Sequence, residues 1–359
     1  MSKQVLRVGI VGCGEITQVA HLPLLTEMPN YEVTALCDLS PKVLNHLGET
    51  YKIRNLYTDY HELLGRDDVD IVLVTNKDHA PVSVAAMNMG KHVLSEKPMC
   101  FNLAEADEII EAEERNKVKF MVGYMKRYDP AFEYALSLIK EMDDVHLVRV
   151  HDYAGDYTIN NEIYDEIRGD DLPDQTRWAL KETEREKMLL AIGPERKEQL
   201  TAYSTLLYLL IHDAILLQEA FGVPDEVLYS DIYNKDTILA VLKFGKDIRC
   251  VWEGALLLAR REWDEKFEVY GNKKRLSVDF PFPYVKNVQT VVRINEQDER
   301  DPKANIDKTI YASYDEAFKR EWRHFYTCIT ENQTPITNSR KARNDIELMI
   351  NIIKTFRQS

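Results

Sequence analysis

The chain has 359 residues, too many for one ordinary core and enough for two domains, and its balance of 45% hydrophobic and 30% charged residues is that of a soluble globular protein. A net charge of −14 argues against nucleic acid and anionic membrane as partners, because both are polyanions. Five cysteines, odd in number, scattered and never in C-x-x-C spacing, argue against a disulfide framework and a zinc site, so no metal is expected. The first strand starts within a few residues of Met1 and no apolar run approaches the length of a membrane span, so the expected setting is the cytoplasm.

Val5 to Asp38 reads as one unit: an apolar run, then Gly12-Cys13-Gly14-Glu15-Ile16-Thr17, a helical stretch, and a second apolar run from Val33 to Cys37 closed by an acid. This is the pattern of a nucleotide-binding β-α-β. Gly12 allows a sharp turn out of the strand. Gly14 lets a pyrophosphate approach backbone N–H groups at the helix start, where Glu15 and Ile16 follow. Asp38 is placed to accept both ribose hydroxyls of an adenosine and to repel a 2′-phosphate, which favours NAD over NADP. Thr17 stands where a third glycine is usual.

A helix is predicted from Pro41, a strand over Val69–Val74, and a helix whose Val82, Ala85, Ala86 and Met89 form an apolar stripe. A strand over His92–Ser95 follows, then a helix capped by Asn102 with Glu105 placed for the reciprocal bond, and a strand over Phe120–Val122. Alternation of short strands and helices predicts a parallel sheet covered on both faces, an α/β Rossmann domain over residues 1–123. Residues 124–359 read as an α+β domain with an open, mostly antiparallel sheet. Its candidate strands are Val145–Val150, Thr237–Phe244, Ile248–Trp252, Phe267–Tyr270, Leu276–Phe280 and Val288–Ile294. The stretch Asp156–Gln199 is highly charged and helical in character without a clear assignment, and Ile346, Met349, Ile350 and Ile353 share one face of a closing helix.

Ligands of an open parallel sheet bind beyond the carboxyl ends of its strands, which directs attention to Thr75-Asn76-Lys77-Asp78-His79, Glu96-Lys97-Pro98 and Tyr124-Met125-Lys126-Arg127-Tyr128. Lys97 is held between a strand end and a proline, a restricted backbone that aims it at the cleft.

Together with His21-Leu22-Pro23 and the run from Gly90 to Pro98, the glycine turn, the Glu-Lys-Pro block and Gly123 to Pro130 resemble the Gfo/Idh/MocA family, which includes glucose-fructose oxidoreductase and inositol dehydrogenases. Val269-Tyr270-Gly271 and Phe325 to Phe356 resemble it more loosely. The resemblance implies hydride exchange between NAD and a secondary alcohol or ketone carbon of a sugar, cyclitol or glycoside. It also implies an open sheet used for self-association as a dimer or tetramer. Lys97 is then the group contacting the reacting hydroxyl, and His212 the histidine of a C-terminal helical element whose aspartate, four residues earlier, is Tyr208 here. Tyr208 and His212 share one helix face, and the proton route runs through His212, Tyr208 or Lys97, with a core aromatic among leucines as the alternative for Tyr208 and a satisfied histidine of an apolar helix as that for His212. Thr75, Asn76 and His79 line the nicotinamide ribose side, with a capping or packing role as the alternative for His79. Glu96 accepts hydrogen bonds from the ribose or the local backbone. Arg127 and Tyr128 meet substrate, Arg127 otherwise forming a salt bridge. Arg177-Trp178 reverses a family Trp-Arg pair and reads as surface. Two other readings stay open: an NAD-retaining enzyme that cleaves glycosides by transient oxidation and elimination, and a non-catalytic sensor of NAD or sugar.

Overall fold

A computed structural model describes residues 4–156, 158 and 160–357. The chain divides into two compact units. The first comprises residues 1–123, 160–191 and 321–343, and the second residues 124–159, 192–320 and 344–359. Gly123 is thus one boundary among several, because a later segment and part of the C-terminal region return to the first unit.

The first unit carries a six-stranded sheet in the order β3-β2-β1-β4-β5-β6. Its strands are β1 (Leu6–Val11), β2 (Tyr31–Cys37), β3 (Asn55–Tyr57), β4 (Ile71–Val74), β5 (His92–Glu96) and β6 (Phe120–Gly123), and every pairing is parallel. Central strands covered on both faces must be apolar throughout, and all four residues of β4 are buried. The order reverses between β1 and β4, so the crevice beyond those strand ends is the place for a ligand. Helices α1 (Leu22–Glu27), α2 (Pro41–Tyr51), α3 (Tyr60–Leu64), α4 (His79–Asn88) and α5 (Leu103–Asn116) connect the strands. Ser40 caps α2 by accepting from Val43 N, and Pro41 occupies the first turn, where its missing N–H costs nothing. Asn102 caps α5 at Glu105 N as expected, but Glu105 returns its bond to Phe101 N, one residue earlier than a reciprocal cap. The stripe expected on α4 is corrected: Val82 and Ala86 are buried, whereas Met89 is 56% exposed because the helix ends at Asn88.

After α6 (Pro130–Glu141), the second unit carries an eight-stranded sheet in the order β14-β13-β12-β11-β7-β10-β9-β8. Its strands are β7 (Val145–Ala154), β8 (Glu226–Tyr233), β9 (Thr237–Phe244), β10 (Ile248–Leu256), β11 (Asp264–Gly271), β12 (Lys274–Phe280), β13 (Val291–Gln297) and β14 (Asn305–Tyr311). Only the β7–β10 pairing is parallel among the described strands of this sheet. In β9, Ile238, Ala240, Leu242 and Phe244 are buried and alternate with half-buried neighbours, the pattern of a sheet covered on one face. Edge strands β8 and β14 escaped the sequence reading because half of the residues of β8 and most of those of β14 are exposed, which leaves no apolar alternation to find.

The unassigned stretch contains α7 (Asn160–Ile163) and α8 (Asp174–Ile192). A helical run then extends from Pro194 to Phe221 through α9 (Leu200–Thr205) and α10 (Ile211–Phe221). Contrary to the expectation from sequence, this run is long and apolar enough to cross a membrane, but 78% of its most apolar window is buried inside the protein. Helices α11 (Ala317–Thr330) and α12 (Ser339–Thr355) close the chain, and Ile346, Met349, Ile350 and Ile353 of α12 are all buried.

Candidate functional site

The crevice of the first unit begins at Gly12, whose φ of +97° and whose position against Thr75 and Asn76 leave no room for a side chain: a Cβ there would meet Asn76 N at 2.3 Å. Gly14 is the opposite case. Among the described residues, nothing beyond its own chain neighbours lies within 4 Å of a Cβ built on it, so the space above the helix start is open to a ligand. Glu15 and Ile16 form the first helical residues and are half-buried. Thr17, in place of the third glycine, is fully buried and opens a π-helical turn, Thr17–His21. Its hydroxyl donates to Gly12 O at 2.8 Å and lies 2.8 Å from that of Thr75, so it ties the glycine turn to the end of β4 where a glycine would only make room.

Asp38 follows β2 and lines a cavity of about 420 Å³ together with Cys13, Gly14 and Glu15, a size within the usual range for small-molecule sites. Its two carboxylate oxygens accept from Cys13 N at 2.7 Å and Ser40 N at 2.8 Å, which fixes the carboxylate while leaving each oxygen a further lone pair.

The Glu-Lys-Pro block ends β5. Glu96 is buried, and its Oε1 lies 2.9 Å from His21 Nε2. Trp322 Nε1 donates to His21 Nδ1 at 3.0 Å, so the neutral ring carries its proton on Nε2 and gives it to Glu96. The other oxygen of Glu96 accepts from Lys97 N at 3.1 Å, a local backbone bond. Burial works to raise the Glu96 carboxyl, but the hydrogen bond from His21, with the charge of Lys97, outweighs it and holds the group below the usual range. Glu321, fully buried nearby, has no such donor, and burial with the charge of Glu96 pushes it well up. His79 is buried and neutral, its pKa lowered by burial, and its Nδ1 donates to Pro98 O at 2.6 Å. It therefore pins the loop that carries the half-buried Lys97. Asn76 donates to Asp78 O at 2.8 Å and is likewise held within its own loop.

In the second unit, Tyr208 is half-buried in a π-helical segment, Leu206–Leu210, and His212 is buried in the first turn of α10. Four residues fall just short of one π turn and just beyond one α turn, so the two rings lie on neighbouring flanks in either geometry. Arg127 is buried, with its Nε 3.1 Å from Glu219 and its Nη1 3.7 Å from Glu133, the salt-bridge alternative. Tyr128 is 2% exposed, and its carbonyl accepts from Arg320 at 2.9 Å. The first unit thus gathers Gly12, Gly14, Glu15, Asp38, Thr75, Glu96 and Lys97, while the second carries Arg127, Tyr128, Tyr208 and His212.

Sequence reasoning missed a buried charge cluster beside His212. Asp152, Asp213 and Glu265 bring carboxylate oxygens within 4.8 Å of one another. Lys126 donates to Glu265 and lies 3.7 Å from Asp152, so this group contains its own cation. Trp252 donates to Asp213 at 3.1 Å and Trp263 to Glu265 at 2.9 Å. Burial, then the charge of Glu265, push Asp213 up to about 8. Only the Lys126 position was flagged in the sequence, within a basic run; its acidic partners come from three other elements.

Residues 6–124 match the family described as "Oxidoreductase family, NAD-binding Rossmann fold". Inositol 2-dehydrogenase from Salmonella typhimurium is 35% identical over 150 residues, a stretch that spans 41% of this chain and 45% of that relative. Myo-inositol 2-dehydrogenase from Thermotoga maritima is 26% identical over 304 residues, covering 82% of this chain and 80% of the relative. Among solved structures, a 3-ketoreductase from Actinomadura kijaniata in complex with NADP superposes with a TM-score of 0.73 at 19% identity, over 96% of each chain. At that identity the likeness shows a shared fold.

Proposed function

We propose that this chain, whose residues 6–124 match an oxidoreductase family with an NAD-binding Rossmann fold, is an NAD-dependent dehydrogenase or reductase of the Gfo/Idh/MocA type acting on a secondary alcohol or ketone carbon of a sugar, cyclitol or glycoside. The observation that carries this reading is the cavity in which the open space over Gly14 and the fixed carboxylate of Asp38 meet, at the carboxyl edge of the parallel sheet whose strand β5 leads into Lys97. Asp38 fits a ribose diol, whose hydroxyls would donate to its free lone pairs. It opposes a 2′-phosphate by like charge, so NAD is preferred even though the Actinomadura relative was solved with NADP.

Bound NAD would supply the hydride acceptor. Lys97 stabilises the alkoxide that develops as hydride leaves carbon, and His212, with Tyr208 on the adjoining flank, takes or relays the hydroxyl proton. His79 and Glu96 hold the loop that aims the lysine. The exposed, charged face of the second sheet, with Lys266, Arg275, Asp279 and Arg293, is the surface proposed for a homodimer or tetramer.

The test is NADH formation at alkaline pH with inositols, aldohexoses and glycosides, comparing the native chain with Lys97→Ala. Loss of a transition-state cation predicts a fall in kcat of about 10²–10³-fold with NAD affinity retained. Equal rates in the variant would remove Lys97 from the chemistry. Copurified NAD with substrate cleavage and no net NADH would favour the eliminating glycosidase over the dehydrogenase.

A further inference from the structure

Four of the residues that line the Gly14–Asp38 cavity, Glu166, Ile167, Arg168 and Gly169, lie outside the stretch that matches the NAD-binding family. They belong to residues 160–191, which return to the first unit after the chain has entered the second. The attachments of this return are side-chain bonds, not sheet pairing. Gln18 grips Ile167 from both sides, donating to its carbonyl and accepting from its N–H, each at 3.0 Å. Asn160 donates to Glu15 at 3.1 Å. Farther along, Asp171 accepts from the Ser40 hydroxyl and from Lys42 N at 3.0 Å, and Asp170 accepts from Lys42 Nζ at 2.7 Å.

We infer that residues 160–171 are a built-in wall of the dinucleotide site, closing on the adenosine end and slowing cofactor exchange. This rests on the reading of the cavity as the dinucleotide site. The segment between Tyr164 and Pro173 has no helix or strand of its own, so side-chain attachments take the place of ladder bonds in holding it. An adenosine seated at Asp38 has the β2 end on one side and Glu166–Gly169 on another, and its release involves both. The wall also brings Glu166 to a cavity that already holds Glu15 and Asp38, a negative lining with Arg168 as its one cation among the lining residues. That lining suits a ribose diol and opposes an added phosphate.

The experiment is the NADH dissociation rate, read by stopped-flow fluorescence on the full chain in two variants. Asp171→Ala removes two attachments and should raise the rate about tenfold, the worth of one net hydrogen bond to a charged group. The pair Ser40→Cys and Gly169→Cys should lock the wall: a Cβ at residue 169 would lie 2.9 Å from Ser40 Cβ, so a retreat of about 1 Å gives disulfide spacing. The oxidised form should release NADH at least tenfold more slowly than the same protein after reduction, which serves as its own control for folding. Equal rates in the native, loosened and locked forms would overturn the wall while leaving the dinucleotide site intact. Failure of the native chain to bind NADH at all would overturn both.

Discussion

Glu96 in the first unit and Asp213 in the second are both buried carboxyl groups, with opposite fates. Glu96 is held as a carboxylate, whereas Asp213 is pushed up to about 8. The difference is one of donors. Glu96 receives a histidine N–H of fixed tautomer and a backbone N–H, while Asp213 receives one indole N–H and faces the charge of Glu265. Glu321 sharpens the point: in the first unit, close to Glu96 but without such donors, it is pushed up as Asp213 is. Burial penalises each of these charges, and the number and sign of groups aimed at each oxygen decide whether the proton stays.

The strongest way to break this comparison is to remove the cation of the second unit. Lys126→Met leaves Asp152, Asp213 and Glu265 in one buried group with no positive charge, a loss expected to cost about 3–5 kcal/mol. Urea unfolding measures it, and hydrogen exchange should show the loss first in β7 and β11, which carry Asp152 and Glu265. A cost below about 1 kcal/mol would mean that the ammonium adds little to the group. In the first unit the matching change is His21→Phe, which keeps the ring volume but takes the donor from Glu96 and the acceptor from Trp322. Loss of a hydrogen bond to a charged group predicts about 1.5–3 kcal/mol, and the infrared carboxyl band of Glu96 should then titrate at higher pH than in the native chain. An unmoved titration would show that His21 packs against Glu96 without setting its charge.

The two regions were also unequally legible. The glycine turn, Asp38 and Glu-Lys-Pro lie at strand ends in a repeating β-α pattern, so local sequence specifies their place in the sheet. His21 was quoted only as part of a resemblance, because its partner Trp322 lies 301 residues away. Cluster members Lys126, Asp152, Asp213 and Glu265 follow no spacing rule, since a hydrogen-bonded turn, β7, α10 and β11 bring them together. The returning segment 160–171 read as charged and unassigned for a related reason: its Ile167 backbone and its Asp170 and Asp171 carboxylates are satisfied by Gln18, Ser40 and Lys42, which are far off in the chain. Periodicity reports the face a segment buries against its neighbours. It is silent on polar contacts made once and at long range.

The smallest effect per step, and the one that separates the two carboxyls most cleanly, is in pH. Asp213 folds with a pKa of about 8, above the ordinary value near 4 that it has in the unfolded chain, so the folded state retains a proton that the unfolded state has lost. Its contribution is fully present below about pH 4, declines as pH rises, and is gone beyond about pH 8. Glu96 has the opposite sign: its lowered pKa gives stability present above about pH 4.5 and lost as acid protonates the folded carboxylate. Asp213→Asn keeps the shape and the indole contact but carries no titrating proton, so it should remove the decline between pH 5 and 8 while leaving the acid limb unchanged. Urea midpoints at pH 5, 6.5, 8 and 9 measure this, with native and variant curves diverging up to about pH 8 by no more than about 1.4 kcal/mol per unit and running parallel above. Parallel curves from pH 5 onward would mean that Asp213 is ionised in the folded protein and that Lys126 neutralises it as well as its neighbours.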